Sequence, residues 1–390
     1  MRYYLIAGEA SGDLHASRLM RALREQDAGA EFRYFGGEAM QAEGGTLVRH
    51  YRTLAYMGFY QVVRHLPEIL QGRRQCKQDI TAWRPDAIVL VDYPGFNLHI
   101  ARWARRAMPG VKTVYYISPK IWAWKSWRLR AIRRDVDLLL SILPFEVEWF
   151  RRRGYEVTYV GNPTVDELAP VVASPFDRED FCRRNLLNDN QSIIALLAGS
   201  RRAEVEANLP LMIEACCGLP GYQLVVAGAP GLDAAFYAPI LDRHRIVPPV
   251  KVVFGQTYDL LRASEIATVT SGTATLETAY LGVPQVVCYY FKGGRPVYRL
   301  MQLALRSIRH VSLVNLLLGR EAVRELLGPY LTVESLRREV KKFTDNSPER
   351  RQVLADYDEM RRLLGPAGAP QRAAAAVTDL LRRSGTPPAP

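Results

Sequence analysis

Short apolar runs recur along the chain, and stretches with helical periodicity separate them. The runs are rich in Val, Ile, Leu and Tyr, and Gly, Pro, Asp or Ser ends them. This pattern is typical of strands that are buried on both faces of a parallel sheet. It predicts strands at 3–7, 87–92, 113–117, 138–143 and 157–160 in the first half, and at 193–197, 224–227, 251–254, 266–270 and 285–290 in the second.

The alternation of strands with helices predicts repeated βαβ units with right-handed crossovers. The two halves therefore indicate two doubly wound α/β domains, at 1–168 and 177–335, joined by a segment rich in Pro and small residues at 166–176. Charged helices are expected over 336–390, ending in a frayed tail. Because open α/β sheets bind ligands beyond the carboxyl ends of their strands, two such domains facing each other would enclose a cleft.

The formal net charge of +12 predicts an anionic partner. Nucleic acid, phosphorylated metabolites and an acidic membrane surface all fit, and so does a surface that is simply Arg-rich. The five cysteines form no CxxC pair and no disulfide framework. No apolar run reaches the ~18 residues of a membrane span, and the first apolar run is too short for a signal peptide. We therefore expect a cytosolic protein that meets a membrane only from the side.

The motif GEASGD, at 8–13, follows the first predicted strand and opens a helix. The backbone N–H groups of such a turn suit a phosphate or an oxyanion. Ser11 or Asp13 would equally serve as a cap of that helix. Glu9 is more informative, because it places an ionisable group at the carboxyl end of a central strand.

A second motif, AIVLVDYPGFN at 87–97, ends an apolar strand with a carboxylate. Asp92 then lies at the mouth of the sheet, where partial desolvation would adjust its pKa and suit it to act as a general base. A helix or loop cap is the structural alternative. Pro94 and Gly95 turn the chain, and Asn97 is expected to start the next helix.

Two strand–turn–helix motifs in the second half suit a nucleotide diphosphate. After the strand at 193–197, a tight turn places Arg201 at a helix N-terminus, where a guanidinium and backbone N–H groups fit a diphosphate. The motif SGTATLE, at 271–277, offers a second such turn, and Glu277 lies where a carboxylate reaches vicinal ribose hydroxyls. Each motif alone is also typical of an ordinary helix cap. Together they predict a site formed by Gly199, Ser200, Arg201, Ser271, Gly272, Thr273 and Glu277.

Two further segments combine apolar or aromatic residues with basic ones. At 56–70 the apolar positions share one helical face, which fits either a core helix or a helix that dips into lipid. At 118–134 Trp alternates with Lys and Arg, which suits nucleic-acid bases, a phosphorylated amphiphile or a membrane interface. The predicted acceptor or membrane contacts are Phe59, Val62, Val63, Leu66 and Trp124, together with Ser11 and Asn97.

Other chemistries lack their signatures. The six histidines show no HxxxH spacing, and neither GxxxxGK[ST] nor GxSxG is present. Asp135 and Asp137 form a DxD pattern, but it precedes a predicted strand rather than following one, so we interpret it as a helix-to-strand connector. No metal and no cofactor are expected.

The motifs, taken in order, resemble those of lipid-A-disaccharide synthases. The resemblance runs from residue 3 to about 330. The segments that carry it are AGEASGD at 7–13, MQAEG at 40–44, MG at 57–58, VDYPGFN at 91–97, YISPKIWAWK at 116–125, LPFE at 143–146, VGNP at 160–163, GSRRAEVE at 199–206, SGTATLE at 271–277 and VSLVNLLLGREAVRELL at 311–327.

The resemblance implies a GT-B fold and a metal-independent, inverting hexosyltransferase. The implied donor is UDP-2,3-diacylglucosamine, the acceptor is 2,3-diacylglucosamine 1-phosphate (lipid X), and the products are the β-1,6 disaccharide 1-phosphate and UDP. Asp92 would be the base, with Glu9 as the second choice. Arg201 would neutralise the diphosphate with the help of the two turns, Glu277 would hold the ribose, and Asn315 would lie near the donor.

The resemblance also implies a setting. The enzyme would act peripherally on the cytoplasmic, anionic face of the inner membrane of a Gram-negative bacterium, with 56–70 as the contacting helix, and would bind no nucleic acid. A homodimer is left open. Two alternatives remain: another UDP-sugar enzyme of the same fold, such as a 2-epimerase, and a basic nucleotide- or nucleic-acid-binding module without catalysis.

Overall fold

The chain forms two compact units in the computed structural model, which describes residues 1–53, 66–123, 126–244, 248–270, 272–290 and 310–385. One unit contains Met1–Pro163 and Pro366–Pro390, and the other contains Thr164–Gly365. Both are built around a parallel sheet with helices between the strands.

The sheet of the first unit has the strand order β3-β2-β1-β4-β5-β6-β7 in the described part of the chain. Its strands are β1 Arg2–Ala7, β2 Glu31–Gly36, β3 Thr46–His50, β4 Ala87–Val91, β5 Lys112–Tyr116, β6 Leu138–Ser141 and β7 Thr158–Tyr159. In the parallel register Ala7 pairs with Val91, and Val91 pairs with Tyr116. The three central strands therefore end side by side, and the segments that follow them share one edge.

Helices cover both faces of this sheet. They are α1 Ala10–Gln26, α2 Glu38–Ala42, α3 Leu66–Trp83, α4 Pro94–Ala107, α5 Leu129–Asp135 and α6 Pro144–Arg151, with short 3₁₀ turns at Tyr51–Thr53 and Ser126–Arg128. The helix α1 buries Ala16, Leu19, Met20 and Leu23, the three- and four-residue spacing of a face that packs on a core. Pro94 occupies the first turn of α4, where its missing N–H costs no hydrogen bond.

The second unit repeats this architecture with the strand order β10-β9-β8-β11-β12-β13. Its strands are β8 Ser192–Leu197, β9 Tyr222–Gly228, β10 Lys251–Phe254, β11 Ile266–Thr270, β12 Gln285–Tyr289 and β13 Arg324–Leu327. Its helices are α7 Pro163–Ala173, α8 Arg178–Arg184, α9 Arg202–Cys216, α10 Ala234–Asp242, α11 Thr257–Ala263, α12 Thr273–Tyr280, α13 Leu313–Leu318, α14 Val333–Lys341 and α15 Pro348–Leu364, with a 3₁₀ turn at Gly328–Tyr330. Leu197 pairs with Val269, so β8 and β11 end together.

The last helix, α16 Ala369–Arg383, belongs to the first unit. Its buried face, formed by Ala373, Ala374, Val377 and Leu381, joins the core between the sheet and α1. The side chain of Gln26 ties it to α1, since its amide nitrogen donates to the carbonyl of Gln371 at 3.0 Å and its oxygen accepts from the hydroxyl of Thr378 at 3.1 Å. The helices after residue 335 are therefore shared between the two units.

All ten predicted strands are present, and the described part of the chain contains three others that were missed. The strands β3 and β13 form sheet edges and leave polar residues partly exposed, while β2 alternates Glu31 and Arg33 with apolar residues. Neither pattern gives the continuous apolar run used for prediction. The segment at 166–176 is largely helical, because α7 continues through Pro170 to Ala173.

Candidate functional site

The backbone is strained where β4 and β5 end. Asp92, Tyr93 and Ile117 all have left-handed backbone, with φ of +44°, +45° and +66°. Such a conformation costs about 1–3 kcal/mol for a residue other than glycine, and most of all for a β-branched one. Asp92 and Ile117 each follow a member of the Val91–Tyr116 pair, so the strained residues are neighbours across the sheet. Strain of this kind clusters at functional sites, which makes this edge the candidate site of the first unit.

Hydrogen bonds fix Asp92 in this conformation. Its N–H donates to the carbonyl of Tyr116 at 3.1 Å. Its carbonyl accepts from the hydroxyl of Tyr115 at 2.5 Å and from Nδ2 of Asn97 at 2.7 Å. Asn97 is fully buried and also donates to the carbonyl of Val91 at 3.2 Å. The structure thus corrects the prediction that Asn97 contacts the acceptor substrate. Its side-chain amide is buried and holds the end of β4 instead.

The carboxylate of Asp92 lies in a mixed environment. The side chain reaches solvent, but protein atoms surround much of it, and this desolvation raises its pKa above the ordinary value. The charge of Lys120 and the backbone N–H of Tyr93 act in the opposite direction. A carboxylate with a raised pKa is a stronger base, which suits Asp92 to accept a proton.

Glu9 lies at the same edge, because β1 neighbours β4. It is the N-cap residue of α1, half-buried, and its carbonyl accepts from the N–H of Asp13 at 2.9 Å. The ring of Tyr93 packs against Gly8, the residue before Glu9, so closely that a Cβ on Gly8 would lie 2.3 Å from it. Burial raises the pKa of Tyr93, and the charge of Glu9 adds to the effect. The two candidate bases, Glu9 and Asp92, are therefore brought together.

The other acidic residue of GEASGD has a structural role. Asp13 is buried, and its carboxylate accepts from the N–H groups of Gly37, Ala39 and Met40 at 2.6, 2.9 and 3.2 Å. It therefore caps α2, not the helix that it belongs to, which already begins at Ala10. Ser11 is exposed in the first turn of α1.

Sequence reasoning missed Glu146, which lies in the first turn of α6. It is 1% exposed, and its carboxylate accepts from Nε1 of Trp122 at 2.8 Å and from the hydroxyl of Ser141. Burial raises its pKa to about 7, against the opposing effects of these two bonds and of Lys120. The only sequence signal was the position of an acidic residue in LPFE, directly after a strand.

The DxD pattern is a connector, as predicted. Asp135 ends α5 and pairs with Arg134, and Asp137 directly precedes β6. The carboxylate of Asp137 accepts from the N–H of Thr113 at 2.8 Å and from Arg105 at 2.9 Å.

In the second unit, the turn after β8 is occupied by a carboxylate of the protein itself. Glu204 accepts from the N–H groups of Ser200 and Arg201 at 3.1 and 3.3 Å, and from the Arg201 guanidinium at 3.1 Å. Gly199 has φ of +119°, and a Cβ there would lie 2.6 Å from Cβ of Glu204. The backbone N–H groups of this turn, which were predicted to suit a diphosphate, are therefore capped by Glu204. Arg202 turns away and stacks 4.4 Å from the ring centre of Phe236.

The turn after β11 has a different character. Gly272 and Thr273 are exposed, and no side-chain hydrogen bond caps the start of α12 among the described residues. Ser271 lies outside the described residues. Glu277, one turn further on, accepts from the hydroxyl of Tyr258 at 3.3 Å, and burial together with the charge of Glu167 raises its pKa. Because β8 and β11 are neighbours, this turn and that of Arg201 lie at one edge of the sheet.

Asn315 makes its contacts with the protein. It is fully buried, and its amide nitrogen donates to the carbonyl of Val323 at 2.8 Å and to the carboxylate of Glu325 at 2.9 Å. Its oxygen accepts from the N–H groups of Ala322 and Val323 at 2.8 and 2.9 Å. These four bonds use the full capacity of an amide side chain. Asn315 therefore supports the loop before β13, and its predicted place near the donor stays a prediction.

The predicted membrane contacts are mostly not described. Phe59, Val62, Val63 and Trp124 lie outside the described residues, as does the side chain of Leu66. On the described surface of the first unit, Leu70 is 44% exposed and Trp127 is 67% exposed, with the Arg128 guanidinium 5.7 Å from the ring centre of Trp127. Across the described ranges, every helix is too short or too polar to cross a bilayer.

Solved structures with the same architecture define the class of fold. The S. aureus MnaA–UDP co-structure matches with a TM-score of 0.66 and 12% identity, covering 98% of this chain and 97% of that one. UDP-GlcNAc 2-epimerase from Neisseria meningitidis, bound to UDP-GlcNAc, matches at 0.59 and 11% (98% and 100%), and the calicheamicin glycosyltransferase CalG4 at 0.58 and 16% (99% and 100%). The chain therefore has the two-domain α/β fold of GT-B type that was predicted.

Sequence comparison resolves the family within this fold. The family model for lipid-A-disaccharide synthetase matches residues 3–376. Lipid-A-disaccharide synthases from Myxococcus xanthus and Syntrophus aciditrophicus are 38% and 34% identical over 384 residues, which is 97% of this chain and 97% and 98% of those proteins. The chain belongs to the lipid-A-disaccharide synthetase family. It is a glycosyltransferase of lipid A biosynthesis, as the sequence motifs predicted.

Proposed function

We propose that the enzyme transfers 2,3-diacylglucosamine from its UDP derivative to the 6-hydroxyl of 2,3-diacylglucosamine 1-phosphate, with inversion and without a metal ion. The observation that supports this most directly is the Asp92 turn, where a partly desolvated carboxylate is held by strained backbone at the edge of the first sheet. Inversion in a single displacement needs a base on the attacking hydroxyl, and Asp92 fits that role. Glu9, at the same edge, is the second candidate.

In the second unit, the two turns at the edge of the sheet would bind the UDP group. The exposed, uncapped start of α12 offers backbone N–H groups to a phosphate. The Arg201 guanidinium would pair with the second phosphate and stabilise the charge of departing UDP. For this, its contact with Glu204 would be exchanged for one with the ligand. Glu277, oriented by Tyr258, would accept from the ribose hydroxyls.

The acyl chains of both substrates require access to a lipid phase. We propose that the first unit contacts the anionic cytoplasmic surface of the inner membrane. The exposed Leu70 and Trp127, flanked by Arg74 and Arg128, supply the combination of apolar and basic groups that such a surface binds.

The test is release of UDP from UDP-2,3-diacylglucosamine and lipid X in detergent, for the wild type and Asp92→Asn, with and without EDTA. We expect turnover that resists EDTA and falls by about 10²–10⁴-fold in Asp92→Asn, because general-base catalysis contributes roughly that factor. UDP binding and the thermal transition should be unchanged.

Glu9→Gln is the matched comparison, since it neutralises the other carboxylate at the same edge. If Asp92→Asn remains active and Glu9→Gln is inactive, Glu9 is the base. If the wild type shows no turnover with these two lipids, the proposed substrates are wrong, although the fold stands.

A further inference from the structure

Three charged side chains follow three neighbouring strands of the first sheet. Asp92 follows β4, Lys120 follows β5 and Glu146 follows β6. Because the carboxyl ends of parallel strands meet at one edge, these groups share a small region. The three charges influence one another. The charge of Lys120 lowers the pKa of both Asp92 and Glu146, and the charge of Asp92 raises the pKa of Glu146.

Glu146 differs from the other two in being buried. One of its carboxylate oxygens accepts a hydrogen bond from Trp122, which lies on the loop that follows β5. The other accepts from Ser141, which lies at the end of β6. The ring of Trp122 also packs edge-on against Phe145, with centroids 5.0 Å apart. Glu146 therefore fastens the loop that carries Lys120 to the body of the sheet. An apolar residue would fill such a position at a lower desolvation cost, so an acid here calls for a role beyond packing.

We propose that Glu146 is a positioning residue for the reaction: it holds the Trp122 loop in place and, through its own ionisation, sets the proton affinity of Asp92. This inference rests on the proposed role of Asp92. Glu146 does not touch the substrate and acts through its neighbours.

The direction of the effect follows from the sign of the coupling between the two carboxylates. The negative charge of Asp92 raises the pKa of Glu146. Coupling of two sites is reciprocal, so an ionised Glu146 must raise the proton affinity of Asp92 by the same factor. Below the pKa of Glu146 this contribution is absent, and above it Asp92 becomes a stronger base. The positive charge of Lys120 weakens this coupling between the two carboxylates. Glu148, on the same helix as Glu146, is exposed and pairs with Arg151 and Arg152.

The test compares kcat/KM of the wild type and Glu146→Gln as a function of pH. The variant keeps the shape of the side chain: its oxygen can accept from Trp122, its nitrogen can donate to Ser141, and the Ser141 hydroxyl can donate to the carbonyl of Leu143, 3.0 Å away. We expect equal activity at about pH 6, where Glu146 is mostly protonated, and a roughly three- to ten-fold deficit of the variant at about pH 8.5. Glu148→Gln, the matched control, should follow the wild type at both pH values.

A second measurement does not depend on activity. In protein with ¹³C-labelled Glu carboxyls, the resonance of Glu146, assigned by its loss in Glu146→Gln, should titrate near pH 7 in the wild type. In Asp92→Asn it should titrate at lower pH, because the like charge is gone. A titration of Glu146 that Asp92→Asn leaves unmoved, or a deficit of Glu146→Gln that is the same at every pH, overturns the proposal. If instead the coupling is present while Asp92→Asn is fully active, the role assigned to Asp92 fails and the electrostatic link remains.

Discussion

Asp92 is held by its backbone rather than by its side chain. The turn depends on Tyr115 of the neighbouring strand, whose hydroxyl donates to the carbonyl of Asp92. The side chain of Tyr115 is fully buried. Left-handed backbone at three residues costs free energy that the surrounding bonds must supply. The residue that aims the carboxylate is therefore not a neighbour of Asp92 in sequence, and it can be removed without changing any charge.

Tyr115→Phe tests this arrangement. Loss of the hydroxyl removes one of the bonds that fix Asp92, so its carboxylate should lose its orientation. We expect kcat/KM to fall by about ten-fold, equivalent to about 1.4 kcal/mol of transition-state stabilisation. The measurement is steady-state UDP release, with the thermal transition recorded alongside.

Tyr3→Phe is the control for that experiment. It also removes a tyrosine hydroxyl from the first sheet, but this one bonds to Asp27 at 3.1 Å, near the amino end of β1. It should lower stability to a similar extent and leave kcat/KM unchanged. If both variants lose activity equally, the effect of Tyr115 is one of general stability.

At the scale of elements, the two helices that begin at the edge of the second sheet are unequal. The start of α9 is capped by Glu204, which accepts from the backbone N–H groups of Ser200 and Arg201 and from the guanidinium of Arg201. No described residue caps the start of α12 with its side chain. A carboxylate and a phosphate compete for the same donors. We therefore expect the backbone N–H groups at the start of α12, rather than those of α9, to bind phosphate, and Arg201 to bind it through its side chain.

The variants Arg201→Ala and Arg202→Ala distinguish the contributions of these two adjacent arginines to UDP binding. The first removes a guanidinium that is 65% exposed at the edge of the sheet, and UDP should bind roughly 10- to 100-fold more weakly, or about 1.4–2.8 kcal/mol. The second removes a guanidinium that stacks on Phe236, and the dissociation constant should not change. Calorimetric titration with UDP measures both, and equal losses would show that net charge, not position, is responsible.

The elements around the site were predictable because their signal is local. Apolar runs mark the buried strands. Asp92 directly follows one of them, and only Gly8 separates Glu9 from another, so their shared edge could be predicted from the parallel topology. The side-chain partners were not predictable in this way. Whether Asn315 faces a ligand or the loop at 322–325 depends on folding of a later segment, and the contact of Glu146 with Trp122 joins two loops that the sequence separates.

At the scale of the whole molecule, the net charge of +12 accompanies exposed apolar side chains on the first unit. Electrostatic attraction to anionic lipid weakens as the Debye length falls from about 10 Å at 0.1 M salt to about 3 Å at 1 M. We expect the enzyme to co-sediment with anionic vesicles at low salt and to be released from them at high salt. It should not co-sediment with zwitterionic vesicles.

Trp127→Ala should weaken this binding, whereas Tyr330→Ala, which removes a 60% exposed aromatic ring from the second unit, should not. Binding to both kinds of vesicle at every salt concentration would contradict the proposed contact. Equal loss in both variants would place the contact elsewhere on the surface.

The membership of α16 in the first unit has a consequence for biosynthesis. A ribosome completes β1 to β7 early, but the helix that covers α1 and seals that core is translated only after the whole of Thr164–Gly365. Until then the buried faces of Leu19 and Leu23 lack part of their cover, while the second unit has every residue that it needs. Domains usually mature from the N-terminus onward during translation. Here the order of completion is reversed, and the nascent first half must remain soluble until the chain returns to it.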